Sequence, residues 1–552
     1  MKADHSRCSI NKCLAFNVVT EQYKTKHVVD CPGCRDIGID SQELASILRQ
    51  GQTPRALLQV TDSCGTSEIK LKIGASGPYV AVSHVWSDGL GNPNANSLPV
   101  CQLLRLYRAA TTLNVKFAES VPAVWIDSLL VPVAKGYEKR LALSRLCDYY
   151  QAAEKVLVLD SDLLHTSQAC SKEEIMTRIF FSTWMRRLWT LEEGFLSREN
   201  LEFQFRDGTV SMSHLSDPIQ FSSSVTRIGS TLDINMVNFL PDLANYYQRP
   251  CESIQRQTPI LAELLPTLEY RSTTKAIDET LCIAHILGLD ASRLLLTDDV
   301  YLRMKIFIQI LAERKSLFPM LFLFTKEPKL PLDGLRWAPT SFMSLDHEDI
   351  GYLIGAYSRL WAGYSDKGLL IHGMSSFNLP FGNDTLKSVT FAEIDKRIYA
   401  LTPAPVGKSC RGAGKFWSRQ AFDEIDPNQH WNTELQEMLG KTPYSTAVLR
   451  GPGSYGLLVS MDDCIGKPDD QDGSLIYAQP IGQFYMQELQ TTNQNHVVSN
   501  IDSTGIRFTN PEWDFNETEK QMHEALEKAF EPETSTFLRC RAIDPCRRWC
   551  IG

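Results

Sequence analysis

The stretch GPYVAVSHVWSDGLGNPNAN (77–96) runs as an apolar β-type segment and then breaks at Trp86, Asp88 and a Gly/Asn/Pro tract into a polar loop. A strand that empties into such a loop is typical of one edge of a parallel sheet. Working outward, LPVCQLLRLYRAATTL (98–113) reads as a helix with Pro99 near its start, and AVWIDSLLV (123–131) as a second strand. GYEKRLALSRLCDYYQAAE (136–154) places Leu143, Leu146, Cys147 and Tyr150 at i, i+3, i+4 and i+7, an amphipathic helix. KVLVLD (155–160) is a third strand. SKEEIMTRIFFSTWMRRLWTLEEGFLS (171–197) reads as one long helix opened by a Ser171/Glu174 capping box. This alternation predicts a parallel sheet covered by helices over roughly 66–210.

The chain has 552 residues, more than one core accommodates, with a net charge of −9, 43% hydrophobic and 22% charged residues. No basic block argues for nucleic acid as a partner. We expect no membrane span, since no apolar run approaches the roughly 18 residues needed. The start lacks the apolar core of a signal peptide. The fifteen cysteines are scattered and fit reduced thiols, Cys101, Cys147 and Cys282 lying within apolar segments. We therefore expect a cytoplasmic protein. Four regions are expected: a Cys/His-rich module at 1–40, the α/β domain at 66–210, a helical region at 211–325 and a mostly β region at 326–552, with a charged helix near 516–530. Residues 41–66 look helical from SQELASILRQG, with Gly51 as the stop.

Ligands of open parallel sheets bind at the carboxyl ends of the strands. Asp88, Asp127 and Asp160 follow the three strands and share that rim. Each also suits a turn or cap. On a continuous helix at 100° per residue, Leu188, Leu191 and Phe195 fall within about 60° and extend the line of Trp184, forming the core face. Glu193 would then lie opposite the core, sharing its face with Arg186 and Trp189, while Glu192 lies nearer the core. An exposed ion pair is the plain alternative. A tryptophan beside an acid and an arginine suits a flat, charged ligand better.

YVAVSHVWSD (79–88), VWIDSLLV (124–131), YYQAAEKVLVLD (149–160) and RRLWTLEEG (186–194), in that order and spacing, resemble the successive motifs of the fungal heterokaryon incompatibility (HET) domain. YRSTTKAIDETLCIAHILGLD (270–290) and LRWAPTSF (335–342) are similar to stretches that follow it. The chain departs from the pattern at LLVPV, which lacks the usual cysteine, and at Glu192, where glutamine is common. The resemblance implies a TIR-like, flavodoxin-type fold, a role in self/non-self recognition ending in cell death, and homo-oligomers or an incompatibility partner. Related TIR-like domains cleave NAD at the nicotinamide–ribose bond through one glutamate, and Glu193 aligns with the shared acid.

Cationic nicotinamide leaves as a neutral molecule, so one carboxylate suffices where ordinary glycosidases need two. With NAD as substrate, Glu193 would stabilise the oxocarbenium-like transition state, with Asp88 and Asp127 as supporting acids. Ser83 would shape the ribose loop; Trp86, Trp125 or Trp189 would stack on a ring; Arg186 or Arg187 would face the pyrophosphate. Trp86 plugging the sheet end is the plain alternative, and a non-enzymatic adaptor is the alternative for the domain. Cys8, Cys13, His27, Cys31 and Cys34 offer one donor more than a tetrahedral zinc takes. We expect Cys8, Cys13, His27 and Cys34 to hold a structural zinc, with Cys31 spare or replacing His27, against free thiols as the alternative. GKSCRGAGK (407–415) lacks the first glycine of a phosphate loop and is set aside.

Overall fold

The computed structural model describes residues 17–28, 31, 34–63, 66–197, 199–215, 261–268 and 271–314, positions 5, 6, 8, 14 and 15, and a set of strands and turns between 318 and 551. It divides into two compact units, Met1–Leu311 and Ala312–Gly552. Cys13, residues 216–260 of the expected helical region, the expected helix at 516–530 and the 407–415 tract lie outside the described residues.

In the first unit the strands are β1 (Asp36–Gly38), β2 (Arg55–Ser63), β3 (Thr66–Gly74), β4 (Val80–His84), β5 (Ser97–Pro99), β6 (Ala123–Trp125), β7 (Lys155–Leu159), β8 (Leu201–Phe205) and β9 (Gly208–Ser211). The helices leading to the site are α1 (Ser41–Arg49), α2 (Val100–Thr112), α3 (Asp127–Leu130), α4 (Tyr137–Ser144), α5 (Leu146–Gln151), α6 (Ser161–Leu164), α7 (Lys172–Phe181) and α8 (Trp189–Leu196). Seven strands form one sheet in the order β3-β2-β6-β4-β7-β8-β9. The inner four are parallel, β4 pairing β6 and β7, and β7 pairing β8. Counted along the chain, these four lie in the order 2-1-3-4. That order reverses direction beside β4 and leaves a switch point between the carboxyl ends of β4 and β7.

The sheet is mixed, not wholly parallel. β2 and β3 form an antiparallel hairpin that joins β6 through Ala56↔Val124, and β9 turns back antiparallel on β8. The helical expectation for 41–66 therefore holds only for α1, capped by Asp40 and ended at Gly51, whose φ of 70° suits the left-handed turn. Residues 55–59 alternate partly exposed and buried positions, and Arg55–Ser63 forms a strand instead.

The long helix of 171–197 is broken in two. Ser171 caps α7 by accepting from the Glu174 amide at 3.2 Å. At Ser182 the backbone leaves the helix (φ −62°, ψ 156°), and a 3-10 turn at Trp184–Arg186 separates α7 from α8. Competing partners explain the break. The Ser182 hydroxyl donates to the Ile179 carbonyl at 2.6 Å, and Asp160 accepts from the Trp184 amide at 3.0 Å. Beyond the turn, the Arg186 carbonyl accepts from the Ser272 amide at 2.7 Å, and the Ser272 carbonyl accepts from the Leu188 amide at 3.0 Å.

The second unit's described residues build a twelve-stranded, predominantly antiparallel sheet, with parallel pairing of Leu475–Glu488 to Arg548–Ile551. Among the described residues no helix is long and apolar enough to cross a membrane.

Candidate functional site

Glu193 sits on α8, which packs against β4. Because the turn at 184–186 resets the helical phase, Glu193 does not oppose the core as the continuous helix predicts. It is buried, 8% exposed. Its carboxylate accepts a short hydrogen bond from the Ser83 hydroxyl, and that oxygen accepts from the Trp184 indole at 2.6 Å. Burial pushes the Glu193 carboxyl up to about 8; the negative charges of Asp127 and Glu192 add to this, and hydrogen bonds to Ser83 and Tyr150 only partly oppose it.

Asp127 lies at the end of β6, opening α3. It accepts from the Trp86 indole at 2.8 Å and the Ser128 amide at 2.6 Å, and pairs with His84 Nε2 at 2.8 Å. Burial would raise this carboxyl, but His84 and the three hydrogen bonds outweigh it and hold Asp127 below the ordinary range. Asp88 reaches across the switch point, accepting from the Ser161 amide at 2.7 Å and the Ser161 hydroxyl at 3.2 Å. Burial raises it, against those two bonds. Asp160 caps α6 through the amides of Asp162 and Leu163, besides holding Trp184. Burial and the nearby charge of Asp88 push it up to about 6. The rim thus does gather Asp88, Asp127 and Asp160, with Asp160 serving as a cap.

The expected aromatic plates are occupied by protein. Trp125 is fully buried between Tyr149 and Tyr150, ring centroids 5.1 and 5.3 Å away, and is a core residue. Trp86 is covered by Tyr23 at 5.6 Å, and the indole lies so close to Gly91 that a Cβ there would come within 2.4 Å of it. Trp189 donates to Asp278 at 3.0 Å. Arg187 donates to Asn17 and, at 3.1 Å, to Thr274, and burial lowers its guanidinium to about 10. Arg186 belongs to the 3-10 turn rather than to α8, so it does not share the Trp189–Glu193 face.

Sequence reasoning missed His84, Tyr150, Trp184 and Ser161. Each touches an acid that it had singled out, and SH before VW carried the only local signal. It also left Glu192 unpartnered. Glu192 is fully buried and bonded to His285 Nδ1 at 2.8 Å, on the helix Asp278–Ile286. Burial would lower His285, yet the Glu192 carboxylate holds it above the usual imidazole range.

His27, Cys31, Cys34 and Cys101 bring their ligand atoms within 4.8 Å of one another, a group that can hold a metal ion. Among the described residues this group shares His27, Cys31 and Cys34 with the expected donors and adds Cys101, from the first turn of α2. Cys8 lies beside His5, with Sγ 3.5 Å from Nδ1, and Cys13 is outside the described residues.

A cleft of about 660 Å³ opens between α6, α7 and the turn after β8, lined by residues including His165, Cys170, Arg178 and Arg206. None of the expected site residues lines it. Compared with models of known protein families, with curated proteins and with solved structures, the chain matches none.

Proposed function

We propose that the first unit contains, over 66–210, a TIR-like HET domain that cleaves NAD at the nicotinamide–ribose bond, as the effector of a self/non-self cell-death response. The observation that carries this reading is Glu193. A buried carboxyl that meets hydroxyls and other acids, and is pushed up to about 8, is poised to gain a cationic partner. Pyridinium beside it would lower its pKa and leave a carboxylate facing the developing oxocarbenium charge. The C–N bond breaks with its electron pair going to nicotinamide, and water adds to the ribose carbon and releases one proton. Asp88 and Asp127 hold the rim through Ser161 and Trp86. The four ordered motifs and the 2-1-3-4 strand order support the family reading. The resident ion of the Cys/His group is zinc in a structural role.

The test is nicotinamide release from NAD by the full chain at several protein concentrations, because association raises the population of an assembled state. Release by wild type and its loss in Glu193→Gln of normal fold is the expected result. No release at any concentration, with cell death retained in Glu193→Gln, would sink it. A second reading, an adaptor that acts by assembly, is favoured by one observation: Trp86, Trp125 and Trp189 are all engaged by protein groups.

A further inference from the structure

The segment before α1 crosses directly over the loop that leaves β4. The Tyr23 hydroxyl donates to the Trp86 carbonyl at 2.7 Å and accepts from the Gly91 amide at 2.8 Å. The Thr25 hydroxyl donates to the Gly91 carbonyl at 2.6 Å, and the Lys26 amide to the Gly89 carbonyl at 2.9 Å. Gly89 is needed at this crossing: its φ is 100°, and a Cβ would lie 2.4 Å from the Lys26 side chain. Past the crossing, β1 pairs antiparallel with β5. The strap therefore lies across Trp86, and Trp86 in turn holds Asp127. None of the described strap residues at 20–28, 31 and 34–38 is fully buried, so burial holds this crossing only weakly.

The Cys/His group lies where a fastening is required. His27 and Cys31 are four apart on the strap, Cys34 follows in a CxxC spacing, and Cys101 comes from the helix beneath. His27 Nδ1 is 3.1 Å from Cys31 Sγ and 3.6 Å from Cys101 Sγ. Tetrahedral zinc, with Zn–S near 2.3 Å and Zn–N near 2.0–2.1 Å, sets ligand atoms about 3.5–3.8 Å apart. The Val28 amide already points at Cys101 Sγ at 3.4 Å, and Gln102 donates to the Lys26 carbonyl at 2.8 Å. Such outer contacts orient a thiolate ligand. Three sulfurs and one imidazole nitrogen form a soft, closed donor set that suits zinc and leaves no position for chemistry.

We propose that His27, Cys31, Cys34 and Cys101 form a zinc clasp that fastens the described strap residues, 20–28, 31 and 34–38, over the loop 86–91, so that metal occupancy decides whether the Trp86–Asp127 rim is covered. The clasp rests on the zinc reading above and is independent of the NAD chemistry.

The first test uses reduced full-length wild type. Zinc content should be one equivalent, and cobalt substitution should give intense thiolate-to-cobalt charge-transfer bands. Cysteine alkylation should spare Cys31, Cys34 and Cys101 while metal is bound and label all three together after chelation; Cys8 should label in both states. Chelation should also raise hydrogen exchange at 20–38 and the acrylamide quenching of tryptophan fluorescence. Cys101→Ser and Cys34→Ser should each weaken cobalt binding by about 100-fold or more, and Cys8→Ser should not change it. Absence of bound metal, or a Cys31–Cys34 disulfide whose reduction restores no metal binding, overturns the metal reading. Metal binding that survives in Cys101→Ser, or a strap equally protected without metal, overturns the clasp even where zinc is present. Neither result bears on nicotinamide release.

Discussion

At the residue scale, Glu193 combines burial with acceptance from Ser83, and the two act in opposite directions on its proton. Ser83 stabilises the carboxylate, so Ser83→Ala should raise the Glu193 pKa further and move the alkaline-going limb of nicotinamide release to higher pH, a shift read from the pH–rate profile. Glu193→Gln removes the ionisation and keeps an acceptor for the Ser83 hydroxyl. Since the native carboxyl titrates near 8 and an unfolded glutamate near 4.3, ionisation favours the unfolded chain as pH climbs between those values. Glu193→Gln should therefore gain stability over wild type by a few kcal/mol at pH 9 and by much less at pH 5, measured by thermal melting. An equal effect at both pH values would show that the carboxyl is not perturbed. Glu193 was legible as a candidate acid; its burial was not, because burial follows from the phase of α8.

At the element scale, the deciding feature is the break between α7 and α8. Asp160 holds it from a distance in sequence, accepting from the Trp184 amide while capping α6. Asp160→Ala removes a cap and orphans a buried N–H, and should cost about 2 kcal/mol or more in urea unfolding. The second link is Glu192 to His285, which ties α8 to the helix Asp278–Ile286 with both side chains buried. His285→Ala leaves the carboxylate buried without its partner, a change that costs about 3–5 kcal/mol. If that variant unfolds like wild type, the pair is not a fastening. Local periodicity reads 171–197 as one helix because Trp184, Leu188, Leu191 and Phe195 keep nearly helical spacing across the turn. Besides the local bond from Ser182 to Ile179, two of the partners that break it, Asp160 and Ser272, lie far away along the chain.

At the scale of the whole molecule, five perturbed groups of the first unit act in one direction. Asp88, Asp160, Glu193, Asp278 and His285 all hold protons more tightly in the folded chain. A native state that binds more protons than the unfolded state loses stability as pH rises. The lowered Asp127 works the other way, and its contribution is lost only in acid, below about pH 4. The first unit should thus melt at a higher temperature near pH 6 than near pH 9, by scanning calorimetry. A melting temperature that rises over that interval would contradict the burial of these acids.

What the chain's order of residues determined by itself was the alternation of strand and helix around 77–160, the acids at the strand ends, and the presence of a thiolate-rich group near the start. These depend on short-range periodicity and on side-chain chemistry, both of which are local. Tertiary structure alone decided the antiparallel edges of the sheet, the direction in which Glu193 points, the burial of Trp125 and the approach of Cys101 to His27, Cys31 and Cys34. Those outcomes turn on which segments meet in space, where a hydrogen bond from a distant residue outweighs a neighbour's helical preference and a helix brings its cysteine to a strap seventy positions away.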